Sequence, residues 1–203
     1  MEVRLACVVE GHGEVSAVPV LVRRIAATWD ESLSVQIPRP IRTPRNKLVK
    51  PGELERAVES AARRAGPHGA VLVLIDADED CPANLGPRLV QRATKARDDL
   101  PIGVVVAKQE YESWFLAAAE SLRGRRGLAG DLRHPSNAES VRGAKEWLSK
   151  RMGKNRKYVE TLDQAALTSH FDLDSAGRRS GSFDKCHREI LRLLSALRTA
   201  GTE

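Results

Sequence analysis

The chain has 203 residues, of which 41% are apolar and 30% charged, with a formal net charge of +6. No apolar run approaches the roughly 20 residues of a membrane-spanning helix, and no basic lead with a cleavable apolar segment opens the sequence, so a cytoplasmic protein is expected. Three cysteines, Cys7, Cys81 and Cys186, are odd in number and widely separated, which argues against a disulfide framework or a zinc knuckle.

Residues 3–9 form a short, mainly apolar segment that stops at Glu10-Gly11-His12-Gly13-Glu14, and residues 15–28 have amphipathic spacing: strand, glycine-rich turn, helix. Residues 33–37 are a second extended segment, closed by Pro38 and Pro40, which cannot continue a central strand. A basic loop over 39–50 follows. Pro51-Gly52 opens a helix over 53–64 with an apolar stripe of Leu54, Ala57, Val58, Ala61 and Ala62, and Gly66-Pro67-His68-Gly69 ends it.

Val71-Leu72-Val73-Leu74-Ile75 then runs unbroken into Asp76-Ala77-Asp78-Glu79-Asp80, a pattern for a strand buried on both faces that delivers acids at its C-terminal end. If extended geometry persists to Asp78, the Asp76 and Asp78 side chains leave one face about 6–7 Å apart along the backbone, which suits a shared divalent cation. The other reading is a polar loop whose acids help cap the next helix.

Residues 82–86 read as a turn and 87–98 as a helix through Leu89, Val90, Ala93 and Ala96, stopped by Pro101. Residues 102–107 are another β-branched run, ending in Lys108-Gln109-Glu110-Tyr111-Glu112, and 113–122 read as a helix with Trp114, Phe115 and Ala118 inward. This alternation predicts an α/β fold with a largely parallel four-stranded sheet and helices on both faces, because each parallel connection needs a crossover. Residues 123–137, rich in Gly and Arg, mark a boundary or mobile loop between an α/β domain over 1–122 and a helical extension over 123–203 packed on it. Helices are expected over 140–152, 158–167 and 184–199.

Three strands therefore end in carboxylates: Glu10, then Asp76 and Asp78, then Glu110 and Glu112. In an open parallel sheet the carboxyl ends of the strands share one edge, where ligands bind, so these acids are expected to converge. Their repulsion would be relieved by Mg²⁺ or Mn²⁺, provided Glu10 lies close to the pair and the acids are not spent on lysine or arginine. Metal-held carboxylates of this kind activate water or stabilise charge on a phosphodiester.

The basic charge is uneven. Residues 39–50 carry Arg39, Arg42, Arg45, Lys47 and Lys50 with no acid, and residues 121–160 carry eleven Lys or Arg against four acids. Arg42, Arg45, Lys47, Lys108, Lys154, Arg156 and Lys157 are the candidates to hold a nucleic-acid backbone, the alternative being a solvated face. His12 reads as an exposed turn residue or a contact to phosphate or metal. Gly11 and Gly13 allow close backbone approach or positive φ, without forming a dinucleotide fingerprint or a phosphate-cradling loop. Trp114 and Phe115 read as core. Ser16 and Ser182 have no histidine partner near them in sequence, and Asp172 and Asp174 read as loop acids because no strand leads into them.

Val8-Val9-Glu10-Gly11 with Glu14, followed by Ile75-Asp76-Ala77-Asp78, resembles the two signature motifs of the TOPRIM domain of primases, topoisomerases, recombination proteins, small ribonucleases and OLD-family nucleases. Residues 109–117, from Gln109-Glu110-Tyr111-Glu112-Ser113 to Trp114-Phe115-Leu116-Ala117, resemble the third motif of a TOPRIM-like branch, domain of unknown function 4276. Residues 158–164 and Ser180-Gly181-Ser182-Phe183-Asp184-Lys185 are similar to that branch's C-terminal part. The resemblance implies a TOPRIM-like sheet and a Mg²⁺-dependent nuclease or phosphodiesterase of a defence or repair system. Glu10 would be its general acid or base or a metal ligand, and Asp76 and Asp78 would bind metal. Glu110 or Glu112 would complete a second metal position. Glu14 is either a ligand or a helix-terminus acid. Gln109 stands where that branch often has arginine, so a basic group near the scissile phosphate is either missing or supplied by Lys108. The alternative is a noncatalytic subunit that binds nucleic acid or a partner protein, with the metal structural or absent; no helicase or ATPase signature is present, so a separate ATPase is one such partner.

Overall fold

The computed structural model describes residues 1–200. In chain order it contains β1 (Glu2–Val9), α1 (Glu14–Trp29), β2 (Ser34–Gln36), β3 (Ile41–Arg42), α2 (Arg45–Leu48), α3 (Glu53–Ala65), β4 (Ala70–Asp76), α4 (Pro82–Ala96), β5 (Ile102–Ala107), α5 (Ser113–Ala117), α6 (Ala144–Ser149), α7 (Glu160–Thr168), α8 (Leu173–Arg179) and α9 (Gly181–Ala200). Every strand pairing is parallel, in the order β2-β1-β4-β5. β3 is the fifth strand. It shares a flank of β1 with β2, which pairs near the start of β1 (Glu2 with Ser34) while β3 pairs near its end (Val8 with Ile41). No helix among the described residues is long and apolar enough to cross a membrane.

Strand alternation sorts the core into two layers, because successive side chains leave opposite faces of a sheet. Leu5, Cys7, Val9, Leu72, Leu74, Val105 and Ala107 face one layer, with α1, α5, α7, α8 and α9. Ala6, Val8, Val71, Val73, Ile75, Val104 and Val106 face the other, with α3 and α4. Residues from both sides of position 122 fill the first layer, where Tyr111, Trp114, Phe115, Phe171 and Phe183 stack with centroids 4.6–5.6 Å apart. Edge-to-face aromatic pairs contribute about 0.5–1.5 kcal/mol each beyond area burial, so this cluster fastens α9 and the turn before α8 to α5. α9 lies against β5, β1 and β4, and it reaches β5 because Gly103 has no side chain. A Cβ there would meet Glu189 Oε1 at 2.8 Å and Leu193 Cδ1 at 3.0 Å.

Several local readings are corrected. The basic loop over 39–50 contains β3 and α2, both too short to leave a periodic signal. The turn read over 82–86 is the first part of α4: Pro82 sits at the helix start, where no backbone donor is needed, and Pro87 is accommodated inside. The helix read over 113–122 breaks at Ala118 (φ −113°, ψ 26°) and continues as a 3-10 turn over Ala119–Leu122. Of the helix read over 140–152 only α6 forms: a 3-10 turn over Ala138–Ser140 ends at Val141, which is extended (ψ 114°), and Gly143, in the left-handed region at φ 71°, precedes α6. Asp172 belongs to a helix end, where its carboxylate accepts the Ser175 N–H at 2.7 Å and caps α8.

Candidate functional site at the carboxyl edge of the sheet

β1 and β4 are adjacent and parallel, so Glu10 and Asp76 emerge side by side. The Asp76 N–H donates to Glu10 Oε2 at 3.2 Å. β5 adds the next turn, whose Tyr111 N–H donates to Asp76 Oδ1 at 2.9 Å. The turn after β1 is fixed by Glu14, which accepts the N–H groups of Glu10 and Gly11 at 2.8 and 3.2 Å. Of the two sequence roles for Glu14, its side chain is engaged in holding this turn. α7 closes on the same turn through Gly13, whose N–H donates to Glu160 Oε1 at 3.1 Å. A Cβ at Gly13 would sit 2.4 Å from Gln164 Oε1 and 2.6 Å from the Glu160 carbonyl oxygen, so only glycine permits this approach. Gly13 has ordinary helical φ (−68°), and close packing is the reason for its small size.

Asp76 is the last residue of β4, and Asp78 lies at φ 48°, in the left-handed region. Extended geometry therefore ends before Asp78, and the two aspartates are not held by strand spacing. Arg45 organises this loop. Its guanidinium donates to the carbonyls of Asp76 and Ala77 at 2.9 and 3.0 Å, pairs with Asp80, and lies 3.4 Å from Asp78. The condition that the acids be free of arginine holds for Asp76 and fails for Asp78.

A cavity of about 400 Å³ opens at this edge, lined by Glu10, Asp76, Asp78, Glu79, Gln109, Glu110, Arg142, Gly143 and Lys145. Glu110 is anchored on α6 through the Ala144 N–H. Glu112 does not line the cavity. It is fully buried, accepting from Tyr158 Oη at 2.8 Å and Gln164 Nε2 at 3.1 Å, and its Oε2 has no hydrogen-bond partner. Lys145, from α6, stands among these acids: Nζ is 3.0 Å from Glu160, 3.9 Å from Glu110 and 4.0 Å from Glu112. Sequence reading passed over Lys145, because one lysine among eleven basic residues over 121–160 carries no distinguishing signal.

The electrostatics reflect crowding of acids. Burial pushes the Glu112 carboxyl up to about 7, opposed by Lys145, and burial with repulsion from Glu10 and Glu112 pushes Glu14 up to about 8. Asp76 is raised well above the ordinary carboxylate range by burial, then by Glu14, Glu112 and Glu10. Glu10 and Glu110 are raised too, chiefly by burial. Burial would lower the Lys145 ammonium, but Glu112, Glu160 and Glu110 outweigh it and raise it. One lysine does not neutralise this many acids.

The remaining basic candidates scatter. Arg42 is half-buried, with Nε lacking a hydrogen-bond partner, and Lys47 is exposed. Lys154 and Lys157 are exposed, while Arg156 pairs with Asp163 at 3.0 Å. Lys108 lines a cavity next to the acid cleft. A larger cavity of about 1120 Å³ lies between α3 and α4, but its acids Glu55 and Glu59 are already paired with Arg92, Arg63 and Arg97.

No group of three or more His, Cys, Asp or Glu among the described residues is arranged to hold a metal ion. An all-protein cage is therefore not built in. Hard oxygen donors from Glu10, Asp76, Asp78 and Glu110 nevertheless line one cavity with room for water. That set fits a largely hydrated Mg²⁺ or Mn²⁺, which is ordinarily held by one or two carboxylates with water and substrate oxygens completing the shell.

Fold and site together define an α/β protein with an acid-lined cleft at the carboxyl edge of a parallel sheet. A family model described as Domain of unknown function (DUF4276) matches residues 9–191, and the chain belongs to that family. No curated protein and no solved structure matches the chain.

Proposed function

We propose that the chain carries out metal-dependent phosphodiester chemistry on nucleic acid, as a nuclease of the TOPRIM type that its acid motifs resemble, acting in a defence or repair system. The observation supporting this most is the meeting of Glu10 and Asp76, 66 residues apart in sequence, at one bond on the carboxyl edge of the sheet. Glu10 and Asp76 would hold Mg²⁺ or Mn²⁺, with Glu110 lining the same cavity and Asp78 joining once it leaves Arg45. The bound ion would supply Lewis-acid stabilisation of a phosphoryl oxygen and a more acidic water. Glu10, with its carboxyl raised above the ordinary value by burial, is suited to take or give a proton. Lys145 adds fixed positive charge beside a phosphate in the cleft, and Glu14 keeps Glu10 in place.

Cleavage of supercoiled plasmid, single-stranded DNA and RNA with Mg²⁺ or Mn²⁺, compared among wild type, Asp76→Ala and Glu10→Ala, tests the reading. Loss of cleavage in both variants is expected, and activity that survives both places the chemistry elsewhere. The position of Lys145 favours a second reading, because its ammonium already sits where a cation could relieve the acids. In that reading the chain is a noncatalytic subunit that binds nucleic acid or a separate ATPase. Salt-sensitive binding without cleavage, and no effect of metal on stability, would select it.

A further inference from the structure

Beside the acid cleft lies a second cavity of about 600 Å³, and Asp78, Glu79, Gln109 and Arg142 line both. The partition is a strained one. Asp78 and Gln109 are both non-glycine residues in the left-handed region, at φ 48° and 64°, and the Asp78 N–H donates to the Gln109 carbonyl at 3.0 Å. Residues held this way cluster at ligand clamps.

The charges around this second cavity are unequally spent. Asp78 and Asp80 face Arg45, Glu79 pairs with Arg142 at 3.0 Å, and Glu139 accepts from the Ser180 hydroxyl and the Ser182 N–H at 2.7 and 2.8 Å. Lys108 and Lys185 are exposed and have no carboxylate ion-pair partner among the described residues. Pro82, Ala83 and Val106 add apolar atoms to the lining. The cavity thus offers some apolar surface and two ammonium groups that make no ion pair to whatever leaves the acid cleft across the shared partition. A nucleoside followed by a phosphate has this combination of a flat, largely apolar body and a negative end, and a volume of this order is ordinary for a small-ligand site.

We infer that this cavity receives the nucleoside adjoining the scissile phosphate, with Lys108 and Lys185 holding the next phosphate along the strand. The inference rests on the phosphodiester reading above and adds the strand's path out of the cleft. Cys81 reports on it directly, since it lines the cavity and is exposed while Cys7 and Cys186 are buried.

The experiment follows alkylation of Cys81 by N-ethylmaleimide in the whole chain, in EDTA so that no cleavage occurs, with mass spectrometry resolving the three thiols. A phosphorylated thymidine dinucleotide at millimolar concentration is expected to slow Cys81 modification at least fivefold. Inorganic phosphate should not, and the double variant Lys108→Ala, Lys185→Ala should lose the protection while Cys7 and Cys186 stay unreactive. Equal modification with and without dinucleotide, equal protection by phosphate alone, or protection retained in the double variant would each overturn the inference. The two readings fail separately. Cleavage without protection removes the cavity's role and leaves the chemistry, whereas protection in a chain that never cleaves keeps the cavity and removes the nuclease.

Discussion

Replacing Lys145 with methionine removes the ammonium among Glu110, Glu112 and Glu160 while keeping most of the side chain's apolar length. Glu112 is fully buried, so it is left without its nearest positive charge. Removing one partner of a buried ion pair costs about 3–5 kcal/mol, and because the Lys145 side chain is 38% exposed we discount this to about 2 kcal/mol. The cost depends on pH in a definite direction. Glu112 already holds its proton to about pH 7 in the folded chain, so the native state binds more protons than the unfolded chain from the ordinary carboxylate range up to that point. Stability falls as pH rises through this window, and without Lys145 the fall extends to higher pH. In urea titrations followed by tryptophan fluorescence, Lys145→Met should lower the midpoint by about 1 M at pH 8, taking a slope of about 2 kcal/mol/M, and by much less at pH 5. Adding Glu112→Gln to Lys145→Met should recover part of the loss, because a neutral amide needs no counter-charge. A gap between wild type and Lys145→Met that is the same at pH 5 and pH 8, or no recovery in the double variant, would refute this account of the charge balance.

Other expectations follow from the same geometry. Gly13→Ala should destabilise the chain by about 1–3 kcal/mol in urea unfolding and weaken metal-dependent cleavage, because the new Cβ collides with Gln164 and the Glu160 backbone. Gly103→Ala should lose a similar amount of stability by pushing α9 off β5, without changing any group at the acid cleft. Millimolar Mn²⁺ should raise the melting temperature of wild type more at pH 8 than at pH 5, because burial raises the carboxyls of Asp76, Glu10 and Glu110 and protons compete with the ion for them as pH falls. The same increment measured in Glu10→Gln with Asp76→Asn would place the ion at other residues. Glu14→Gln should retain the bonds to Glu10 and Gly11 through its amide oxygen, so cleavage should fall far less than in Glu14→Ala.

The sequence by itself determined the sheet and its carboxyl edge. Apolar runs such as 71–75 and 102–107, without a charged residue, hide both faces in a parallel sheet between helical layers, and parallel strands deliver their C-terminal acids to one side. Hence Glu10 and Asp76 could be paired before any coordinates were known. What the sequence did not carry was the use made of each charge. Whether Asp78 belongs to a cation or to Arg45 depends on a backbone turn at φ 48°, and whether Glu112 faces solvent or the core depends on where Tyr158 and Gln164 arrive. Lys145 comes from a short helix whose own pattern says nothing of three glutamates drawn from β5's following turn and from α7. Hydrophobic periodicity is local and survives in a single sequence, but the partner of a buried charge is chosen by tertiary packing, where a displacement of a few ångströms decides between a proton, an ammonium and a metal ion.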